Sequence, residues 1–182
     1  MRILVAEDGE DIKTIYYMSL VERGHKIILT SDGEECLIVY RQKLQEQQQQ
    51  QQQRYHDKDT SSSPFDVVIL DYKMPKKDGL QAAKEILDIN PEQRIIFASA
   101  YVKETLVESV KELKRVVELM QKPFSMSALV DTVENKEAYE GLKSLMTTAR
   151  DIVKDSDNNN PSSDQIRELF EGLRKVQKFK GF

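Results

Sequence analysis

Short apolar strands alternating with amphipathic helices predict an α/β fold. It is a doubly wound five-stranded parallel sheet with a C-terminal helical hairpin. Three observations carry that prediction. Val67-Val68-Ile69-Leu70 is apolar on both faces and lies between Pro64 and Pro75, the pattern of an interior parallel strand covered on both sides. The runs 2–6 and 94–98 have the same character, and each of the three leads into polar residues: Asp71, Glu7-Asp8 and Ser99-Ala100. Between the strands, apolar residues recur at spacings of three and four, as helices packed on a sheet require.

After the first strand (2–6), Ile12, Ile15, Tyr16 and Leu20 form the inward stripe of a helix over 10–23 that stops at Gly24. The second strand is 26–30. Ser31-Asp32-Gly33-Glu34 turns into a second helix, with Ser31 or Asp32 as its cap, that carries Cys36, Leu37, Val39 and Tyr40. The composition then changes abruptly: 45–53 is almost pure glutamine and 54–63 is polar with a serine run. Such a tract buries too little apolar surface to offset its ordering entropy and is expected to add no core. Glutamine is still a fair helix former, so the tract is read as prolonging the helix until the serines break it.

Beyond the central strand, Asp78-Gly79 opens a third helix with Leu80, Ala83, Ile86 and Leu87 on one face, stopped by Asn90-Pro91. A helix over 103–113 (Leu106, Val107 and Val110 inward) follows the fourth strand. The fifth strand, 116–120, runs into Gln121-Lys122-Pro123-Phe124. Ser125 then begins a helix with Leu129, Val130 and Val133. This closes a domain over 1–135, with 45–63 inserted in it. In the extension, 136–182, Ala138, Leu142, Leu145, Ala149 and Ile152 are spaced four, three, four and three, an a/d stripe on a helix of about five turns. A turn-rich connector (155–161) precedes Ser162 and Gln165, a capping-box pair, and the stripe Ile166, Leu169, Phe170, Leu173 and Val176. Lys175, Lys178 and Lys180 suit that helix's C-terminal dipole.

Ligands of open α/β sheets sit outside the carboxyl ends of the strands. Parallel strands therefore bring Glu7, Asp8, Asp71, Ser99 and Lys122 to one edge. Read singly, these are a strand-end carboxylate (Asp71), three residues capping the helices that follow them (Glu7, Asp8 and Ser99) and a surface charge (Lys122). Together, the three carboxylates repel unless a cation lies among them, and hard oxygen donors in small number suit Mg²⁺, which shares its shell with waters and an anion such as phosphate. Lys122 then faces the anion as a point charge.

These residues, in this order and at these strand ends, with Lys73-Met74-Pro75, Asp78-Gly79 and Lys122-Pro123-Phe124, resemble the receiver domain of two-component response regulators (CheY-like). The resemblance covers about residues 1–135. It implies that Asp71 is phosphorylated by the phosphohistidine of a sensor histidine kinase or histidine phosphotransfer protein, with Mg²⁺ as cofactor. It makes Asp8 a direct metal ligand, Glu7 (more often aspartate in the family) a ligand through water, and Lys73 a ligand through its backbone carbonyl, its side chain free at the mouth. Ser99, the Ala100 amide and Lys122 are implied as partners of the phosphoryl oxygens. In the family an aromatic residue stands three positions before the lysine and relays the switch; here that position is Leu119, and Tyr101, two residues after Ser99, is read as an exposed loop tyrosine or as an aromatic ring near the site in its place. The second helix and third strand are joined by a short loop in the family. The glutamine tract is therefore an insert remote from the site, either merely solvated or a contact surface.

The implied output is protein–protein contact with a downstream effector, without enzymatic turnover beyond transfer to and from the chain's own aspartate. The extension serves as a homodimer contact through 136–182 or docks on its own receiver. Two other readings are a transcription regulator with an atypically short output region and a dimerisation scaffold that is not phosphorylated. The hairpin is too short for a winged DNA-binding domain and lacks a basic recognition helix. The complete site set speaks against the scaffold. Among 182 residues the net charge is −4, which suggests no nucleic-acid partner. A single cysteine, Cys36, excludes an internal disulfide and fits a reducing cytoplasm. No apolar run approaches the ~20 residues of a membrane span, and Met1-Arg2 leads straight into a strand, so neither a membrane nor a leader is expected. With only His25 and His56, and no zinc spacing, glycine-rich phosphate loop or Ser/His/Asp triad, no phosphohistidine donor is expected within the chain.

Overall fold

The computed structural model describes residues 1–53, 63–101, 105, 112–113 and 117–155. Among them are five strands, β1 (Arg2–Ala6), β2 (Lys26–Thr30), β3 (Val67–Asp71), β4 (Ile95–Ser99) and β5 (Glu118–Gln121). The helices are α1 (Glu10–Val21), α2 (Gly33–Gln53), α3 (Gly79–Ile89), α4 (Met126–Glu134) and α5 (Lys136–Asp155). The strands form one sheet in the order β2-β1-β3-β4-β5, every pair parallel. β4 and β5 each begin later than the sequence reading placed them, so Ser99 and Gln121 belong to the strands. The helix expected over 103–113 lies outside the described residues except for Thr105, Glu112 and Leu113.

The chain divides into two compact units, Met1–Val130 and Asp131–Phe182. In the first, Leu4, Ala6, Val68, Leu70, Ile95 and Phe97 are buried against Cys36, Leu37 and Tyr40 of α2 and Ala82, Ala83, Ile86 and Leu87 of α3. Alternation along each strand turns Ile3, Val5, Ile69 and Ile96 to the opposite face, where they are also fully buried. On α1 the inward stripe is Lys13, Tyr16 and Leu20, while Ile12 and Ile15 are 36% and 46% exposed. That corrects the sequence reading of this helix. Lys13 takes an inward position because its apolar stem covers the core while its ammonium reaches Glu10 and Ser31 (2.6 and 2.8 Å). The alternative left open for the α2 cap resolves to Asp32, whose Oδ1 accepts from the amides of Glu34 and Glu35.

The glutamine tract does prolong α2, through Gln53. Gln47 and Gln50, with Arg2, Lys26, Lys43 and Phe65, line a cavity of about 260 Å³ at the amino ends of β1 and β2, away from the strand ends that carry Glu7 and Asp71. Arg94, just before β4, and Glu118 of β5 form a largely buried bidentate pair (2.7 and 2.9 Å) that no sequence pattern announced.

In the second unit the Asn135 side chain caps α5, accepting from the Ala138 amide at 2.9 Å. Tyr139 is buried, and Ala138, Leu142 and Leu145 of the expected stripe are half-buried. The side chains of Ala149 and Ile152 lie outside the described residues. So do the connector beyond Asp155, the Ser162/Gln165 pair, the second stripe (Ile166, Leu169, Phe170, Leu173, Val176) and the terminal lysines.

Candidate functional site

Register alone brings the site together. Ala6 pairs with Leu70, Asp71 with Ala98, and Ser99 with Gln121, so Glu7, Asp71, Ser99 and Lys122 stand on adjacent strands at one level. Each loop then has a local device that fixes it. Gly79 packs so closely beneath Asp71 that a Cβ there would stand 3.1 Å from the Asp71 carbonyl carbon and 3.2 Å from the Tyr72 Cα. Its amide donates to the Tyr72 carbonyl (3.1 Å), and Asp78 caps α3 through the Gln81 amide (2.8 Å). Lys76, at positive φ, reaches Asp32 at 2.6 Å and ties the loop after β3 to the loop after β2. Two backbone donors and this ammonium hold the Asp32 carboxyl below its ordinary range, the Lys76 hydrogen bond being the largest influence.

Glu7, Asp8 and Asp71 each present a carboxylate oxygen within 4.8 Å of the other two. Asp8 is exposed, Asp71 half-buried and Glu7 only 1% exposed. Lys122 lies across this cluster, donating to Glu7 Oε2 at 2.6 Å and Asp71 Oδ2 at 2.8 Å. The second Glu7 oxygen accepts from the Gly9 amide at 3.3 Å. Burial, and then the Asp71 charge, raise the Glu7 carboxyl above its usual value despite Lys122. The cluster sets three carboxylates against the one ammonium of Lys122. Three hard oxygen donors, one of them open to solvent, fit a small divalent cation such as Mg²⁺.

Ser99 is buried at the end of β4. Its Oγ accepts from the Tyr101 amide (2.9 Å) and shares a hydrogen bond with Thr105 Oγ1 (2.9 Å). Thr105, fully buried and also bonded to the Tyr101 carbonyl, is a site neighbour that the sequence reading missed; a hydroxyl six residues after Ser99 was its only signal. Ala100 follows at the exposed rim. The Lys73 side chain is not free at the mouth: its ammonium lies 4.4 Å from the centre of the Tyr101 ring, which is 51% exposed. A half-exposed aromatic face offers the cation an electrostatic partner without full loss of hydration, which explains the departure. Leu119 pairs with Phe97 and is partly buried against the core. Lys122-Pro123 is a cis peptide, and Phe124 beyond it stacks on Tyr16 of α1 (6.2 Å, 8°).

Residues 3–134 match the family described as the response regulator receiver domain. Among curated relatives, the response regulator receiver protein CpdR of Brucella abortus (strain 2308) is 25% identical over 133 residues, covering 73% of this chain and 93% of CpdR. The transcriptional regulatory protein PdtaR of Mycobacterium tuberculosis is 32% identical over 136 residues, 73% of this chain but 55% of PdtaR. The DNA-binding transcriptional regulator NtrC of Azospirillum brasilense is matched over 23% of its length, so the chain spans only part of these longer relatives. Among solved structures, the CheX–CheY–BeF3–Mg²⁺ complex of Borrelia burgdorferi aligns with a TM-score of 0.57 at 25% identity, covering 73% of this chain and 86% of that one. A receiver domain protein from Clostridium thermocellum aligns with the same TM-score at 21% identity, over 74% and 91% of the two chains, a likeness of fold.

Proposed function

The chain belongs to the response regulator receiver domain family of two-component signalling, and from that premise we propose that it accepts a phosphoryl group on Asp71 from a phosphohistidine-bearing partner. The observation that carries the reading is the Glu7–Asp8–Asp71 oxygen cluster bridged by Lys122, a site built around more negative charge than one ammonium offsets. Asp8 and Asp71 would hold Mg²⁺ directly, with Glu7 through water and Lys73 through its carbonyl. The Borrelia relative's complex with BeF3 and Mg²⁺ supports this by likeness. When bound, Mg²⁺ supplies positive charge against the phosphoryl oxygens.

An Asp71 oxygen attacks phosphorus in line. The P–N bond to the donor imidazole breaks, its electron pair stays on the histidine, and an acyl phosphate forms. Lys122 turns from the carboxylates to a phosphoryl oxygen, and the Ala100 amide faces another. Catalysis consists of positioning and charge stabilisation. Ser99 leaves Thr105 to meet the new charge and draws the loop after β4 inward, while Lys73 and Tyr101 stand as the outer rim. Water later cleaves the acyl phosphate, so turnover is confined to the chain's own aspartate.

The donor protein docks on the apolar face that α1 leaves in solvent beside the site, where Ile15 is 46% and Met18 58% exposed. The output is contact with an effector protein, and 136–182 supplies a dimer or docking surface. Light scattering on the full chain and on a chain ending at Asn135 checks that last assignment. Asp71→Asn tests the central claim: Mg²⁺-dependent labelling by acetyl phosphate or a phosphorylated kinase is lost, because an amide is a poor nucleophile. Undiminished labelling overturns the proposal.

A further inference from the structure

Ser99 is 1% exposed and Thr105 fully buried, and their hydroxyl oxygens stand 2.9 Å apart. Each hydroxyl has a single proton, so the direction of that bond follows from what surrounds it. Thr105 Oγ1 also lies 2.8 Å from the Tyr101 carbonyl, which can only accept. Ser99 Oγ lies 2.9 Å from the Tyr101 amide, which can only donate. One arrangement satisfies all three contacts: Thr105 donates to the carbonyl, and Ser99 donates its own proton to Thr105. The reverse leaves the carbonyl contact without a hydrogen. It also leaves the Ser99 proton without an acceptor, since among the described residues Ser99 Oγ bonds only to Tyr101 and Thr105.

A threonine hydroxyl bonded to the carbonyl four residues earlier is ordinary in a helical turn, and the Thr105 amide bonds the same carbonyl at 2.9 Å. That back-bond does not account for the Ser99 proton, which the proposed reaction needs for a phosphoryl oxygen. In the uncharged state the proton is committed to Thr105, in a place that water does not reach. When Ser99 leaves, Thr105 keeps the Tyr101 carbonyl as its acceptor, so no buried donor is orphaned and the exchange is reversible. We infer that Thr105 is a positioning residue of the switch: its Oγ1 competes with the phosphoryl oxygens for the one Ser99 proton and so holds the loop after β4 in its uncharged form. The inference rests on the reading of Asp71 as phosphoryl acceptor and names what opposes the Ser99 movement.

The test measures Mg²⁺-dependent binding of beryllium fluoride, whose fluorines stand in for phosphoryl oxygens, and thermal melts of the full chain. Thr105→Val keeps the shape of the side chain and removes the acceptor. Without the probe it melts below wild type, because the Ser99 proton is then buried without a partner. With Mg²⁺ it binds beryllium fluoride about three- to tenfold more tightly, the scale of one hydrogen bond between neutral groups. Thr105→Ser keeps the hydroxyl and binds as wild type does. In a Ser99→Ala background Thr105→Val no longer tightens binding, since no proton remains to compete for.

A merely structural threonine gives lower stability with unchanged or weaker binding in Thr105→Val, and that result overturns the inference while the receiver reading stands. Tighter binding in Thr105→Ser, or a gain that persists without the Ser99 hydroxyl, overturns it as well. Should Thr105→Val not fold, Thr105→Ala also lacks the acceptor and is expected to bind more tightly in the same way. If neither variant folds, the hydroxyl is a structural requirement and the inference is wrong. If wild type shows no Mg²⁺-dependent response to beryllium fluoride, the receiver reading itself fails and the inference with it.

Discussion

Replacing Gly79 by alanine sets two general expectations against each other. Gly79 is the first residue of α3, and Gly→Ala at a helical position is ordinarily favourable by up to about 1 kcal/mol through backbone entropy and helix propensity. Here, however, the added methyl falls inside the contact distance of the Asp71 carbonyl oxygen, with the Asp71 carbon at 3.1 Å and the Tyr72 Cα at 3.2 Å. All three are backbone atoms where β3 passes into its following loop, and they cannot rotate aside. Relief requires moving the α3 start or the Asp71 peptide by on the order of 1 Å, and overpacking of this kind costs roughly 1–3 kcal/mol or more. The clash exceeds the propensity gain. Gly79→Ala should therefore destabilise the protein by about 2 kcal/mol, equivalent to a fall of on the order of 5–10 °C in Tm for a domain of this size. Because the displaced peptide carries Asp71, phosphoryl labelling should fall by more than the folded fraction accounts for. Urea unfolding followed by circular dichroism, with acetyl phosphate labelling at matched folded concentration, measures both. A variant more stable than wild type, or unchanged in labelling, refutes the account of how α3 positions the aspartate.

Asp8→Ala should abolish most of the Mg²⁺-induced rise in Tm while leaving the metal-free protein equally or slightly more stable, since it relieves repulsion among the three carboxylates; an undiminished rise removes Asp8 from the metal site. Arg94→Met leaves Glu118 buried and uncompensated and should destabilise by about 3–5 kcal/mol, whereas the double change Arg94→Met, Glu118→Met should be close to neutral. Denaturant curves of the three variants separate these cases, and a double variant as unstable as the single one contradicts the reasoning. For the Asp32–Lys76 tie, the folded-state carboxyl lies below its ordinary value of 3.8. The folded state then binds fewer protons than the unfolded one, so the tie's contribution is present above that value and is lost as pH falls through the depressed folded value. The stability gap between wild type and Asp32→Asn should accordingly be constant from neutral pH to about pH 5 and narrow on further acidification; a gap that widens toward acid reverses the assignment.

Much of this molecule is legible in the order of its residues. Strand positions in a parallel α/β sheet are set by local apolar runs, and the strand ends that carry Glu7, Asp71, Ser99 and Lys122 follow from where those runs stop. The extension of α2 through the glutamines, the Asp78 cap and the half-exposed Tyr101 were likewise local matters of propensity and chemistry. Direction was not. On α1 nearly every position offers an apolar or long side chain, so periodicity could not choose the inward stripe; docking on the sheet selected Lys13, Tyr16 and Leu20 and left Ile12 and Ile15 in solvent. The Arg94–Glu118 pair, the hold of Thr105 on Ser99 and the placement of Lys73 over Tyr101 are meetings between separate segments, and no spacing in the chain encodes them. Tyr16 is the clearest case. In sequence it is one more apolar residue of an amphipathic helix; only the packed structure buries its hydroxyl without a hydrogen-bond partner.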